Sequence, residues 1–421
     1  MNHIKDIQLV FDEENLSKYG AFPLLTWFML DLLRLRDKLK IVSAKHKRNN
    51  RRRIKRYKCT FSGVDMSIGI ITIILLGIKR FEKIDDLLHT ETKLAQVIGL
   101  KRFFDKTYAR RFLDKFSLSH LRQLDEVNMA ILREFGDSVK QSVVILDIDQ
   151  TTHSLESRKR EKATRGYNKK NKGKPCYQWD VGFINNEIVS QSLADGREHC
   201  SKGFIPIIED VLHKISPASL IARVDGGYMS ADRLNWIVEN KLQIISVVNW
   251  DDFLSNNKDI KVGELSFEHF FVEEDDEKTE KKVHKKISAA SVGACRIYRK
   301  SKHKFQAVLV KVEQEQISIK KRRKHYRYVI IHNVSGLTRT RSIFDFYHQR
   351  QTIENFFKES KNPFHSGKMP SQRFRSNQAY LYFVSLAYNV FSIFKKTICQ
   401  RYGKDVLWRL LAIEPSATQS E

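Results

Sequence analysis

Three groups of residues in this chain have the types and spacing to do chemistry. The first is Asp147-Ile148-Asp149-Gln150-Thr151, at the end of the apolar run that starts at Ser142. A strand turns alternate side chains to opposite faces, so Asp147 and Asp149 lean toward one point. The second is Arg223-Val224-Asp225-Gly226-Gly227-Tyr228, where an acid leaves another apolar run and two glycines let the chain turn. Open α/β sheets bind ligands at the carboxyl ends of their strands. The third is Tyr347, Arg350, Glu354 and Lys361, spaced by three, four and seven residues, which predicts one shared helix face. Tyr347 and Phe356-Phe357 predict that this helix docks on a core, so it can deliver a carboxylate into a site. Each group alone has a plainer reading: a strand-end acid meeting water, an Asp-Gly turn, and a solvated helix face.

Together, two strand-end aspartates and a helical glutamate make a hard oxygen donor set without a thiol or imidazole cage. That set suits Mg²⁺, with Mn²⁺ as substitute, and does not suit Zn²⁺. Two such ions about 3.5–4 Å apart support in-line phosphoryl transfer. The charge points to the substrate class. Across 421 residues, 75 Lys+Arg against 49 Asp+Glu leave +26, and an excess of that size calls for a polyanion such as nucleic acid or an anionic membrane. A phosphodiester backbone fits both the acids and the charge.

The elements that must position these residues follow from periodicity. Residues 1–140 read as helical and basic. Met66–Ile78 is too short to span a bilayer and reads as a buried helix. Phe22–Leu39 and Phe81–Ile98 carry helical patterns, and a break at Gly99 followed by the basic amphipathic stretch Lys106–Phe116 is compatible with a helix-turn-helix. From Ser142 the order becomes strand, hairpin, helix, strand, helix, strand. The hairpin turns at Asn185-Asn186, and Gln243–Val248 is the last strand of the series. Residues 251–335 read as a β-rich insertion, because the stretch from Asp225 to Glu354 is too long for a bare connection. Arg341–Lys396 returns to helix, and the closing SATQSE reads as a frayed tail. The N-terminus has no signal-peptide layout. The five cysteines, Cys59, Cys176, Cys200, Cys295 and Cys399, form no C-x-x-C pair, which suits a reducing cytoplasm.

The spacing Y-x2-R-x3-E-x6-K, here Tyr347, Arg350, Glu354 and Lys361, resembles the signature around the catalytic glutamate in a superfamily of bacterial insertion-sequence DDE transposases. Asp149-Gln150-Thr151 resembles its D-x-T motif, and Arg223 to Tyr228 resembles its R-x-D-x-G-F/Y motif. Gly166-Tyr167-Asn168, Asn377 and Ala387-Tyr388-Asn389 also have counterparts there. The resemblance covers roughly Ser142 to Lys396. It departs at Cys176-Tyr177-Gln178-Trp179, where histidine–proline is frequent, and at Tyr228, where phenylalanine is commoner.

The resemblance implies an RNase H-like α/β core, a mixed sheet with flanking helices. Its parts would be residues 141–250 and 336–400, interrupted by the insertion at 251–335. A helical DNA-binding region at 1–140 would precede it, and a tail at 401–421 would follow. It implies a DNA transposase that cleaves and joins the inverted-repeat ends of its own element with Mg²⁺. The acids would be Asp149, Asp225 and Glu354, with Asp147 as an alternative first ligand. Asp149 is preferred because the motif keeps a threonine two residues later, here Thr151. Tyr347, Arg350 and Lys361 would serve end DNA, as would Lys47, Arg48, Arg51, Arg52 and Arg53 of the basic run Lys45–Lys58, although that run also reads as a solvated linker. Target DNA, a homodimeric synaptic complex, and a bacterial cytoplasmic, nucleoid-associated location without a membrane complete the expectation. The rival functions are a DNA-binding protein that has lost catalysis, or a related nuclease that cuts without joining. Trp250 reads as a core residue rather than a base-holding aromatic, Glu273–Glu277 as a solvated loop, and His153 and His348 as hydrogen-bond partners rather than ligands.

Overall fold

The computed structural model describes residues 19, 22–44, 61–168, 171–275, 282–314, 324–362, 364 and 366–402. The basic run Lys45–Lys58, with Lys47, Arg48, Arg51, Arg52 and Arg53, lies outside the described residues.

Helices come first: α1 (Phe22–Trp27), α2 (Leu35–Lys38), α3 (Gly63–Leu75), α4 (Lys83–Leu88), α5 (Thr92–Val97), α6 (Lys106–Leu113) and α7 (Leu118–Phe135). The apolar run becomes α3, started by a reciprocal capping box between Ser62 and Asp65 and buried from Met66 to Ile74. No helix among the described residues is long and apolar enough to cross a membrane. The Phe81–Ile98 pattern divides into α4 and α5 because the chain bends between His89 and Glu91.

The strands follow: β1 (Val143–Ser154), β2 (Thr164–Arg165), β3 (Pro175–Ile184), β4 (Glu187–Asp195), β5 (Ser219–Val224), β6 (Gln243–Asn249), β7 (Glu268–Asp275), β8 (Lys282–Cys295), β9 (Phe305–Gln314) and β10 (Lys324–His332). They form one mixed sheet in the order β2-β3-β1-β5-β6-β10-β9-β8-β7, with β4 paired to β3. β1, β5 and β6 run parallel, and β7 to β10 form an antiparallel series that joins the sheet at β6. Asn185 and Asn186 both sit in the left-handed region (φ 50° and 62°), the geometry of a type I′ hairpin turn. Of the expected loop Glu273–Glu277, Glu273, Glu274 and Asp275 instead finish strand β7, paired with His284, Val283 and Lys282, and Asp276 and Glu277 lie outside the described residues.

The remaining helices flank the sheet: α8 (Phe204–Ile215), α9 (Ala231–Glu239), α10 (Trp250–Asn256), α11 (Thr340–His348), α12 (Gln351–Lys361) and α13 (Phe374–Tyr402). α13 packs on α3, α6 and α7 on one side and on β4 on the other, so it ties the N-terminal helices to the sheet. Asn389 of α13 is wholly buried. It accepts from Ile188 N at 2.8 Å and donates to Ile188 O and Asn128 Oδ1. Asn377 likewise brackets Ser371, so both motif asparagines serve the fold.

Candidate active site

β1 and β5 are parallel neighbours, with Asp147 opposite Arg223 and Ile148 opposite Val224. Carried one step further, that register sets Asp149 beside Asp225, both at the carboxyl ends of their strands. Asp225 Oδ1 accepts from Gly226 N at 2.7 Å and starts the single turn Gly226–Tyr228. Asp149 Oδ1 accepts from Gln150 N at 2.8 Å, and its Oδ2 faces Arg350 Nη1 at 3.1 Å. Arg350 Nη2 reaches Glu354 Oε1 at 2.5 Å. One guanidinium, only 12% exposed, therefore bridges the first and third acids.

The two aspartates of β1 have different employment. Asp147 is buried in a two-pronged ion pair, Oδ1 with Arg223 Nε at 2.6 Å and Oδ2 with Nη2 at 2.8 Å. Arg223 Nη1 then donates to Phe346 O at 2.7 Å. This explains a departure from the expected continuous helix. The Phe346 carbonyl would normally accept from Arg350 N; Arg350 N instead turns to Tyr347 O at 3.1 Å, and the helix divides at Gln349–Arg350 into α11 and α12. Tyr347, Arg350, Glu354 and Lys361 thus do not share one unbroken helix.

Tyr347 lies buried in the core between α11 and the β8–β10 face, so its ring is turned into the protein. Lys361 Nζ donates to Thr151 Oγ1, which fastens α12 to β1 two residues beyond Asp149. Trp250 is buried at the start of α10, with Arg327 and Lys311 over its ring. His348 pairs with Tyr328 Oη at 2.8 Å. His153 is buried against Trp179 with neither ring nitrogen meeting a partner among the described residues, so it is not the hydrogen-bond partner its position predicts. Burial keeps its imidazole well below the ordinary range, hence neutral.

The acids feel one another. Burial raises the Asp149 carboxyl above the usual carboxylate range; Arg350 opposes the rise and the Asp225 charge adds to it. Burial raises Glu354 as well, with Arg350 opposing and both aspartates adding. Three oxyanions crowd one locale, and one arginine partly compensates them. Among the described residues, no three acidic, histidine or cysteine side chains stand close enough to form a ready metal cage. The donor chemistry nonetheless fits a hard cation, and the guanidinium between Asp149 and Glu354 already fills a cation's electrostatic role there.

A fourth acid escaped the motif reading. Asp180 of β3 is 2% exposed and pairs in register with Gln150, whose Nε2 donates to Asp180 Oδ1 at 2.9 Å. A Cβ on Gly203 would come within 2.8 Å of the Asp180 carboxyl carbon, so only glycine lets α8 start so close. Burial pushes this carboxyl to about 7, with Glu198 and Asp149 adding to the rise. A lone acid within the otherwise apolar run Trp179–Ile184 was the available signal.

A carboxyl raised on folding stabilises the protein fully below its unfolded value of 3.8, and that stability is lost as pH rises through about 7. Asp180→Asn keeps an acceptor for Gln150 and removes the titration. It should flatten the decline in urea midpoint between pH 5.5 and 8, and gain on the order of 2–4 kcal/mol over wild type at pH 8. Parallel declines in both proteins would show that Asp180 does not titrate in this window.

The family model of the "Transposase DDE domain group 1" matches residues 5–406, and the chain belongs to that family. A comparison with curated proteins returns no match.

Proposed function

We propose that this DDE-family chain is the transposase of a mobile DNA element, cutting at the element's inverted-repeat ends and joining them to target DNA. The observation that carries the proposal is the triad itself. Asp149 and Asp225 stand side by side at the carboxyl ends of parallel strands, and Glu354 is joined to Asp149 through Arg350. The order of elements supports an RNase H-like core: first acid on β1, second after the fourth long strand, third on a helix beyond the strands β7–β10. On this reading residues 1–140 serve DNA binding, 141–250 and 336–400 make the core, 251–335 is the insertion, and 401–421 is a tail.

Asp149, Asp225 and Glu354 would hold Mg²⁺ or Mn²⁺, which supplies activation of the attacking oxygen and stabilisation of the leaving one. The protein's own groups prepare the place. Arg350 neutralises Asp149 and Glu354 while the site is closed on itself, and Lys361 holds the strand bearing Asp149 against the helix bearing Glu354. Arg223, locked by Asp147, fixes where α11 stops and therefore where Glu354 begins its own helix. The net charge of +26 favours the phosphodiester backbone. A pair of protomers, one for each element end, in a bacterial cytoplasm completes the proposal.

The test uses the purified protein with a duplex made from the DNA flanking its gene. With Mg²⁺ or Mn²⁺, cleavage at the element's end followed by joining to a second duplex is expected, and chelation should stop both. Cleavage without joining would make the protein a nuclease, and binding without cleavage would make it a DNA-binding protein that has lost catalysis.

A further inference from the structure

A second charged feature lies away from the triad, where three distant segments meet. Arg80 precedes α4, Arg160 follows β1, and Lys368 sits in the connection from α12 to α13; all three line one open notch with Glu156 and Glu82. Glu82 is taken by Arg110. Glu156 is left facing the three cations, its Oε1 at 3.0 Å from Lys368 Nζ and 3.6 Å from Arg80 Nη2. Lys368, then Arg80 and Arg160, hold its carboxyl below the usual range. Glu156, Lys368 and Arg80 are 65%, 50% and 50% exposed. Exposed pairs of this kind add little to folding, so stability does not account for the cluster.

Arg160 differs. Its Nη1 donates to Met369 O at 3.0 Å and Ser371 O at 2.5 Å, which fixes the guanidinium in the notch wall. Its Nε, although out of solvent, meets no acceptor in the protein. A fixed guanidinium beside two half-exposed cations suits a singly charged tetrahedral oxyanion. We propose that Arg80, Arg160 and Lys368 bind a phosphate of the DNA backbone, and that Glu156 occupies the notch as an internal counter-anion until DNA displaces it. The proposal rests on the DNA-binding function above and names a contact of that same activity. Ser154, beside the notch, lies five residues past Asp149 on β1, about 16 Å along the strand.

The competing account is an internal strap in which Glu156 merely ties Arg80 to Lys368. The two differ in sign. Anisotropy titrations of a 40-base-pair duplex of arbitrary sequence, over a range of salt and in an Asp225→Asn background, would separate them. Under the proposal, Glu156→Gln tightens binding and steepens the plot of log affinity against log salt, while Arg80→Ala and Lys368→Ala each weaken binding and flatten the plot by about 0.9. Unchanged or weaker binding in Glu156→Gln overturns the notch. So do unchanged slopes in both alanine variants. A parent protein that binds no duplex at any salt would instead overturn the DNA-binding function itself, so the two failures are distinguishable.

Discussion

Asp149→Asn is expected to abolish end cleavage while leaving the unfolding transition near its wild-type position. The substitution keeps the shape and removes one of three charges that would hold the cation. Divalent-metal stabilisation of a transition state contributes several kcal/mol, so the rate should fall about 10³-fold or more at 1.36 kcal/mol per tenfold. Stability should change little, because burial already disfavours the Asp149 charge and Arg350 keeps its contact with Glu354. DNA binding should also persist, since it draws on the excess of Lys and Arg. A gel assay over a wide Mg²⁺ range, beside a thermal scan, reads all three. Wild-type cleavage by the variant would remove Asp149 from the triad.

Two residues earlier the expected outcome is reversed. Asp147→Asn leaves the Arg223 guanidinium, 6% exposed, without its carboxylate. Breaking a buried ion pair from one side costs about 3–5 kcal/mol, so the unfolding midpoint should drop clearly. Activity should fall with it and resist rescue by added Mg²⁺ or Mn²⁺. Replacing both partners by apolar residues of similar volume, Asp147→Leu with Arg223→Met, should recover much of the stability, because no charge is then stranded. Cleavage should stay low in that double variant, since Phe346 O loses the donor that sets the end of α11. A stable but inactive Asp147→Asn, together with an active Asp149→Asn, would exchange the two assignments.

Much of this architecture was legible in the residue order because its causes are local. The β-branched run to Asp149, the Asn185-Asn186 turn and the capped apolar helix α3 each follow from spacing over a few residues. The acids at strand ends and on a helix were readable in the same way, because side-chain period decides which face they take.

Tertiary structure decided which partner each acid of β1 takes. Asp147 and Asp149 share a face by the same alternation, so periodicity along β1 cannot separate them. The β1–β5 register does, because it sets Arg223 opposite Asp147. The same arginine divides a helix whose spacing predicts continuity, by taking a carbonyl 123 residues away in the chain. Asp180 became part of the site only when antiparallel pairing placed it beside Gln150 and the start of α8 covered it. The notch of Arg80, Arg160 and Lys368 exists only where three segments close on one point. Periodicity determines the face a side chain takes within its own element; which buried charge meets which is set by contacts between elements, where desolvation makes an unmatched charge too costly to leave.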